Sequence, residues 1–117
     1  AWDCGTGSGQ AAVALADHFA KVIATDASAE QVRNAEPHPR VGYAVAPAEK
    51  CPLPDQSADL VTVAQALHWF DFDRFYAEVR RVGRADSVFT AVSYGVHSVS
   101  PAVDAGLERF QREFVGP

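Results

Sequence analysis

Short runs rich in β-branched residues alternate with segments of helical periodicity along most of this chain, and that alternation restricts the fold more than any other feature. The runs predict strands at 1–4, 21–25, 41–46, 59–67 and 87–95, and the periodic segments predict helices at 9–19, 28–36, 72–83 and 100–114. Strands that alternate with helices pair in parallel through right-handed crossovers. The sequence therefore predicts an α/β fold with a doubly wound, mostly parallel, Rossmann-like sheet.

The composition fits one packed domain and narrows the range of partners. The 117 residues are 48% hydrophobic, which is enough to build a core over 1–117. The net charge is −5 and the basic residues form no long stripe, which argues against a nucleic-acid partner. No stretch is apolar enough to predict a membrane partner. Cys4 and Cys51 are too few for a disulfide framework or a metal site, so we interpret them as reduced, buried thiols of a cytoplasmic protein.

Both ends of the chain interrupt a predicted element. Only "AWDC" precedes the first turn, where a longer strand is expected, and "LERFQREFVGP" stops within a helical pattern. We therefore interpret the chain as part of a longer protein, with a sheet that is incomplete at both ends.

Three glycines at alternate positions, Gly5, Gly7 and Gly9, form the first predicted turn. Glycine is used where the backbone needs a positive φ or where another group approaches it closely. That group could be a helix packed on the preceding strand or a ligand, and the residues alone leave both explanations open. A phosphate loop would need Lys followed by Ser or Thr, and a dinucleotide fingerprint would have its third glycine at Gln10. The spacing therefore fits neither of these motifs.

Three stretches resemble, in order and separation, the motifs of the class I S-adenosylmethionine-dependent methyltransferases: "DCGTGSGQ", "VIATDASAEQV" and "APAEKCPLPDQSADLVTVAQALHWFD". The resemblance covers 1–95, and "HWFD" is similar to a subgroup that methylates small acids such as trans-aconitate. It implies S-adenosylmethionine as cofactor, a small-molecule substrate as methyl acceptor, and transfer by in-line displacement. Such a displacement depends on alignment of the reactants more than on an acid or a base.

The resemblance also implies which residues bind the cofactor. They lie at or just after the ends of the first four predicted strands and are Asp3, Gly5, Gly7, Gly9, Asp26, Ala27, Ala48, Glu49 and Gln65. Asp26 would accept hydrogen bonds from the ribose hydroxyls, although it could instead help to cap the following helix. Asp3 would lie near the methionine amino group, or it could hold the N–H groups of the turn. Pro47 stands where many members have an acid that contacts the adenine.

Three consecutive residues after the fourth predicted strand, His68, Trp69 and Phe70, have more than one interpretation. His68 is the candidate catalytic residue, because an imidazole could accept a proton from the substrate. Aromatic rings could stabilise the sulfonium by cation–π contact, but we predict that Trp69 and Phe70 pack in the core.

Two other functions remain open for a chain of this pattern. One is an NAD-binding oxidoreductase of Rossmann type, although Gln10 departs from the dinucleotide fingerprint. The other is a catalytically inactive remnant that binds the cofactor without transferring a methyl group.

Overall fold

The computed structural model of the protein describes residues 1–93, 100–110 and 112–113. Its strands are β1 (Trp2–Cys4), β2 (Val22–Asp26), β3 (Val41–Val45), β4 (Ala58–Ala64) and β5 (Gly83–Val92). Its helices are α1 (Gln10–Leu15), α2 (Ala29–Arg33), α3 (Phe72–Val82), α4 (Pro101–Phe110) and a 3₁₀ helix over Leu67–Trp69. The strands form one parallel sheet in the order β3-β2-β1-β4-β5. The predicted α/β fold with a doubly wound, parallel sheet is confirmed.

The strand order reverses between β1 and β4, and this reversal locates the site. The chain steps outward from β1 to β2 and β3, then returns so that β4 pairs with the other side of β1. Asp3 lies in register with Ala24 on one side and with Thr62 on the other. In such sheets a crevice forms beyond the carboxyl ends of the two strands at the reversal. The turn that follows β1 opens into that crevice.

Apolar side chains cover both faces of the sheet. On one face α3 packs against strand residues, and the fully buried Trp2, Val61 and Phe75 belong to that cluster. On the other face Ala12 and Ala16 of helix α1 and its C-terminal turn pack with β2. The indole of Trp2 donates a 2.9 Å hydrogen bond to the Thr25 hydroxyl, so its one polar group is satisfied inside the core.

Several elements end earlier or start earlier than predicted. Helix α1 covers six residues, after which 3₁₀-type bonds such as His18 N–H to Leu15 C=O tighten the chain. Strand β4 stops at Ala64 because Gln65 adopts a left-handed backbone with φ 62°. Helix α3 passes directly into β5 at Gly83, four residues before the predicted start of that strand. The predicted strand positions 94 and 95 and the helix positions 111 and 114 lie outside the described residues.

Two further features bear on the sequence-based expectations. Cys4 and Cys51 are buried free thiols, as expected, and burial raises the pKa of both. Within the part of the chain that the structure describes, no helix combines the length and the apolar character that crossing a bilayer requires.

Candidate functional site

The turn after β1 holds its three glycines for different reasons. Gly5, Gly7 and Gly9 all have positive φ, at 69°, 57° and 88°. A Cβ on Gly5 would lie 2.7 Å from the Cβ of Ala66, and a Cβ on Gly9 would collide with the Tyr43 hydroxyl. A Cβ on Gly7 would meet nothing within 4 Å. Packing within the protein therefore leaves no room for a side chain at Gly5 or Gly9, whereas the space above Gly7 is open to a ligand.

Asp26, the last residue of β2, ties the glycine turn to the start of α2. Its Oδ2 accepts a 2.9 Å hydrogen bond from Gly7 N–H, and its Oδ1 accepts one of 2.9 Å from Ser28 N–H. Ser28 is the N-cap of α2, and its Oγ accepts from Gln31 N–H at 3.3 Å. Asp26 thus helps to hold the N-cap residue of α2, which agrees with the helix-capping interpretation of this residue. Each carboxylate oxygen keeps acceptor capacity for a ligand as well.

Asp3 is a buried carboxylate between two threonine hydroxyls. Only 1% of its surface is exposed. Thr6 donates to its Oδ2 and Thr62 donates to its Oδ1, each at 2.7 Å. Burial raises the pKa of Asp3, the two hydroxyl bonds oppose part of that rise, and the nearby Asp26 adds to it. Asp3 therefore holds the turn through the hydroxyl of Thr6 and joins it to β4.

Two cavities meet at Gly5. The glycine-turn cavity has a volume of about 520 Å³, and the predicted residues that line it are Asp3, Gly5, Gly7 and Gln65. The β2–β3 cavity has a volume of about 320 Å³, and the predicted residues that line it are Gly5, Asp26, Ala27, Ala48 and Glu49. The structure thus brings together every predicted cofactor residue except Gly9, which lies beneath Tyr43 and lines neither cavity. The combined space has the size of an ordinary small-molecule site.

Glu49 has a second role that the sequence did not indicate. Its Oε1 accepts a 2.9 Å hydrogen bond from the N–H of Asp71, the N-cap of α3. This bond ties the loop that forms one wall of the β2–β3 cavity to the start of α3. Ala48, beside it, is buried. No local pattern predicts such a contact, because the two residues are 22 positions apart.

The side chains of residues 68–70 lie in three different environments. His68 is exposed and lines a third cavity together with Gln65, but it lines neither of the two cavities that meet at Gly5. Phe70 packs against the core, with its ring centroid 4.9 Å from that of Phe75, so its predicted core role is confirmed. The prediction of a core role for Trp69 is wrong, because its side chain is 80% exposed at the rim of the β2–β3 cavity. The short 3₁₀ helix is anchored by Leu67 and Phe70, which leaves Trp69 outside.

An ion pair between a buried glutamate and a partly buried arginine, under the proline-rich loop at 46–57 between β3 and β4, was also missed. Glu78 of α3 is 7% exposed, and its carboxylate accepts from Cys51 N–H at 2.6 Å and from Arg81 Nε at 2.6 Å. Arg81 also donates to the Leu53 carbonyl at 2.9 Å. The Arg81 guanidinium holds the pKa of Glu78 below its usual range. The available signal was a Glu and an Arg three positions apart in a helix that packs on the core.

Among residues 1–93, 100–110 and 112–113, no group of three or more His, Cys, Asp or Glu side chains is arranged to hold a metal ion.

Comparison with known families assigns the class of domain. Residues 2–91 match the family described as the methyltransferase domain, and the chain belongs to that family. It is 43% identical over 116 residues to a candidate methyltransferase of Dictyostelium discoideum, a match that covers 97% of this chain and 44% of that protein.

Solved structures agree with this assignment. A candidate type II methyltransferase from Anaeromyxobacter dehalogenans is 53% identical with a TM-score of 0.83, and the match covers 98% of this chain and 48% of that one. An S-adenosylmethionine-dependent methyltransferase from Mesorhizobium loti is 26% identical with a TM-score of 0.70, covering 77% of this chain and 44% of that one. The chain spans less than half the length of each of these three relatives.

Proposed function

We propose that this chain forms the cofactor-binding core of an S-adenosylmethionine-dependent methyltransferase that acts on a small molecule. The observation that carries the proposal is the pair of cavities that meet at Gly5, with Asp3 lining one and Asp26 lining the other. The open space above Gly7 leaves room for a ligand to lie against the backbone of the turn. Membership of the methyltransferase domain family supports the same function.

The charge of the site favours this cofactor over a dinucleotide. S-adenosylmethionine carries a sulfonium and an ammonium group, and the carboxylates of Asp3 and Asp26 lie on either side of the turn that would receive it. NAD would instead bring two negative phosphates to the same turn, close to the buried Asp3. Opposite charges favour binding and like charges oppose it, most strongly where water is excluded. The oxidoreductase alternative is therefore the weaker one.

The proposed arrangement assigns each part of the cofactor to a cavity. The adenosine occupies the β2–β3 cavity, where the Asp26 oxygens accept from the ribose hydroxyls and Ala27, Ala48 and Glu49 flank the base. The methionine part occupies the glycine-turn cavity, where Asp3 faces its amino group and Gln65 lies toward the acceptor. Gly9 contributes indirectly, because its packing against Tyr43 supports the turn.

When bound, the cofactor supplies a methyl group activated by positively charged sulfur. The residues of this chain hold it in one orientation, and alignment of two reactants can lower a barrier by about 7–11 kcal/mol in favourable cases. His68 is proposed to accept the proton of an acceptor that carries one, which fits its place beside Gln65 in the third cavity.

Titration calorimetry with S-adenosylhomocysteine on the full-length protein tests this proposal, with NADH as the competing ligand. We expect heat of binding for the first ligand and none for NADH. Asp26→Ala should weaken the affinity by about tenfold or more, since hydrogen bonds to a charged group contribute about 1.5–3 kcal/mol.

The matched control for this experiment is Asp71→Ala, which removes an aspartate that caps α3 and lines neither of the two cavities that meet at Gly5. It should lower the melting temperature but leave the affinity for S-adenosylhomocysteine within about threefold, since a lost cap costs roughly 1 kcal/mol of folding stability. No binding of S-adenosylhomocysteine by the unaltered protein would refute the proposal. Binding without methyl transfer to any acceptor would support the inactive-remnant alternative.

A further inference from the structure

Tyr43 connects the edge strand β3 to the glycine turn after β1, although β2 lies between those two strands. Its ring is among the apolar side chains that pack against α1 and β2. Its hydroxyl lies against Gly9, where the missing Cβ leaves the space for it. The same hydroxyl donates a 2.5 Å hydrogen bond to the carbonyl of Glu36, in the segment between α2 and β3.

Glu36 extends this connection to the turn itself. Its N–H donates a 2.9 Å hydrogen bond to the carbonyl of Ser8, and Ser8 lines the glycine-turn cavity. Pro37 follows Glu36, and a residue before proline is restricted to extended conformations, which limits the directions of its N–H and C=O groups. We call these two hydrogen bonds, from Tyr43 to Glu36 and from Glu36 to Ser8, the Tyr43 relay.

The Tyr43 relay explains why the third residue of the motif is a glycine. A Cβ at Gly9 would collide with the Tyr43 hydroxyl and would lie 3.0 Å from Cζ of the same ring. A side chain there would displace the hydroxyl and break its bond to Glu36. Burial raises the pKa of Tyr43, and the nearby Glu36 and Asp3 add to the rise, so the hydroxyl keeps its proton and donates at neutral pH.

We propose that Tyr43 is a positioning residue of the cofactor site, which fixes Ser8 and with it the wall of the glycine-turn cavity. This role rests on the proposed methyltransferase function, in which the methionine part of the cofactor occupies that cavity. A turn with three glycines at positive φ has much conformational freedom to lose on ordering. Hydrogen bonds from outside the turn lower that cost before the ligand binds, and such preorganisation raises affinity.

The Tyr43 relay acts on one of the two cavities that meet at Gly5. Ser8 lines the glycine-turn cavity but not the β2–β3 cavity. Loss of the relay should therefore weaken contacts with the methionine part of the cofactor and preserve those with the adenosine. A general weakening of the fold would instead lower the affinity for both parts alike, so the two explanations are distinguishable.

Tyr43→Phe tests this role, because it removes the hydroxyl and keeps the ring. Titration calorimetry on the full-length protein compares S-adenosylhomocysteine with 5′-methylthioadenosine, which carries the adenosine without the amino-acid part. We expect the affinity for S-adenosylhomocysteine to fall by about fivefold or more and that for 5′-methylthioadenosine to stay within about twofold.

The matched control is Tyr76→Phe. Tyr76 is a partly buried tyrosine that packs against the rings of Phe75 and Phe89 and lines none of the three cavities at the carboxyl ends of the strands. Loss of its hydroxyl should leave the affinity for both ligands within about twofold of the unaltered protein.

Gly9→Ala provides a second variant, because its Cβ displaces the Tyr43 hydroxyl. In a double-mutant cycle with Tyr43→Phe, the combined loss of S-adenosylhomocysteine affinity should be smaller than the product of the two single losses, since both changes remove the same hydrogen bond. A combined loss equal to that product would overturn the explanation given for Gly9.

Three results would overturn the role given to Tyr43. One is an unchanged affinity for S-adenosylhomocysteine in Tyr43→Phe, and another is an equal loss for both ligands. The third is failure of the unaltered protein to bind 5′-methylthioadenosine while it binds S-adenosylhomocysteine, because the adenosine would then have no separate place in the β2–β3 cavity. Failure to bind either ligand would instead refute the proposed function.

Discussion

Asp3 is a carboxylate that the fold buries almost completely, and both of its oxygens accept from threonine hydroxyls. Burial still dominates its pKa, which is raised from the usual 3.8. The folded state therefore holds the Asp3 proton more tightly than the unfolded chain does. The stability of the protein falls as the pH rises through the interval between 3.8 and the folded pKa, and the cost of the charge is fully present above that interval.

Asp3→Asn is predicted to change stability in a pH-dependent way. The variant lacks the titration, so the difference in melting temperature between variant and unaltered protein should be more favourable to the variant at pH 7 than at pH 4. The affinity for S-adenosylmethionine should fall, because the variant lacks the negative charge that we propose faces the amino group of the cofactor. Thermal melts at the two pH values and calorimetry with the cofactor measure these effects. A difference in melting temperature that is the same at both pH values would contradict the argument.

At the scale of elements, helix α3 holds the proline-rich loop through Glu78 and Arg81. The carboxylate of Glu78 receives the N–H of Cys51, and the guanidinium of Arg81 reaches the carbonyl of Leu53. Because the loop continues into the wall of the β2–β3 cavity, this hydrogen-bond network stabilises that wall.

Glu78→Gln is predicted to lower the free energy of unfolding by about 1.5–3 kcal/mol, because a buried, charged acceptor loses its charge beside Arg81. The contribution of Glu78 is present above its usual pKa of 4.5 and is lost as the pH falls through its lowered folded pKa. Denaturant melts at pH 7 measure the loss.

The control for the Glu78 prediction is an exposed ion pair elsewhere in the chain. Nη1 of Arg84 lies 2.8 Å from Oδ1 of Asp59, and the two side chains are 54% and 56% exposed. Arg84→Ala should change the free energy of unfolding by no more than about 0.5 kcal/mol, because solvent screens such pairs. An equal loss in both variants would show that burial of Glu78 adds nothing.

The elements and their order were predictable because their signals are local. Periodicity indicates the type of each element, and Ser28 with Gln31 marks the start of α2. Contacts between distant segments carry no such signal. Asp26 bonds with Gly7 across 19 positions, and Glu49 bonds with Asp71 across 22. The sequence therefore predicted residues that line two adjoining cavities, but not that Asp26 and Glu49 also hold the walls of those cavities together.

At the scale of the whole molecule, parallel pairing brings the carboxyl ends of β1 to β4 to one edge of the sheet. The glycine turn, the start of α2, the loop before Lys50 and the 3₁₀ helix all follow those ends. A separate cavity of about 270 Å³, with Lys21 and Ser57 in its wall, lies near the amino ends of β2 and β4. The proposed function places the cofactor at the edge formed by the carboxyl ends and assigns no ligand to the edge formed by the amino ends.

Hydrogen exchange measured by mass spectrometry distinguishes these two edges in the full-length protein. Saturation with S-adenosylhomocysteine should slow exchange in four separated segments, 5–9, 26–31, 46–50 and 65–70, because one ligand contacts or orders them together. Residues 20–23 and 53–58 at the opposite edge serve as the internal control and should exchange as before. Protection confined to 5–9 would place the ligand on the glycine turn alone and remove the adenosine from the β2–β3 cavity. Protection at 53–58 without protection at 5–9 would move the site to the other edge of the sheet.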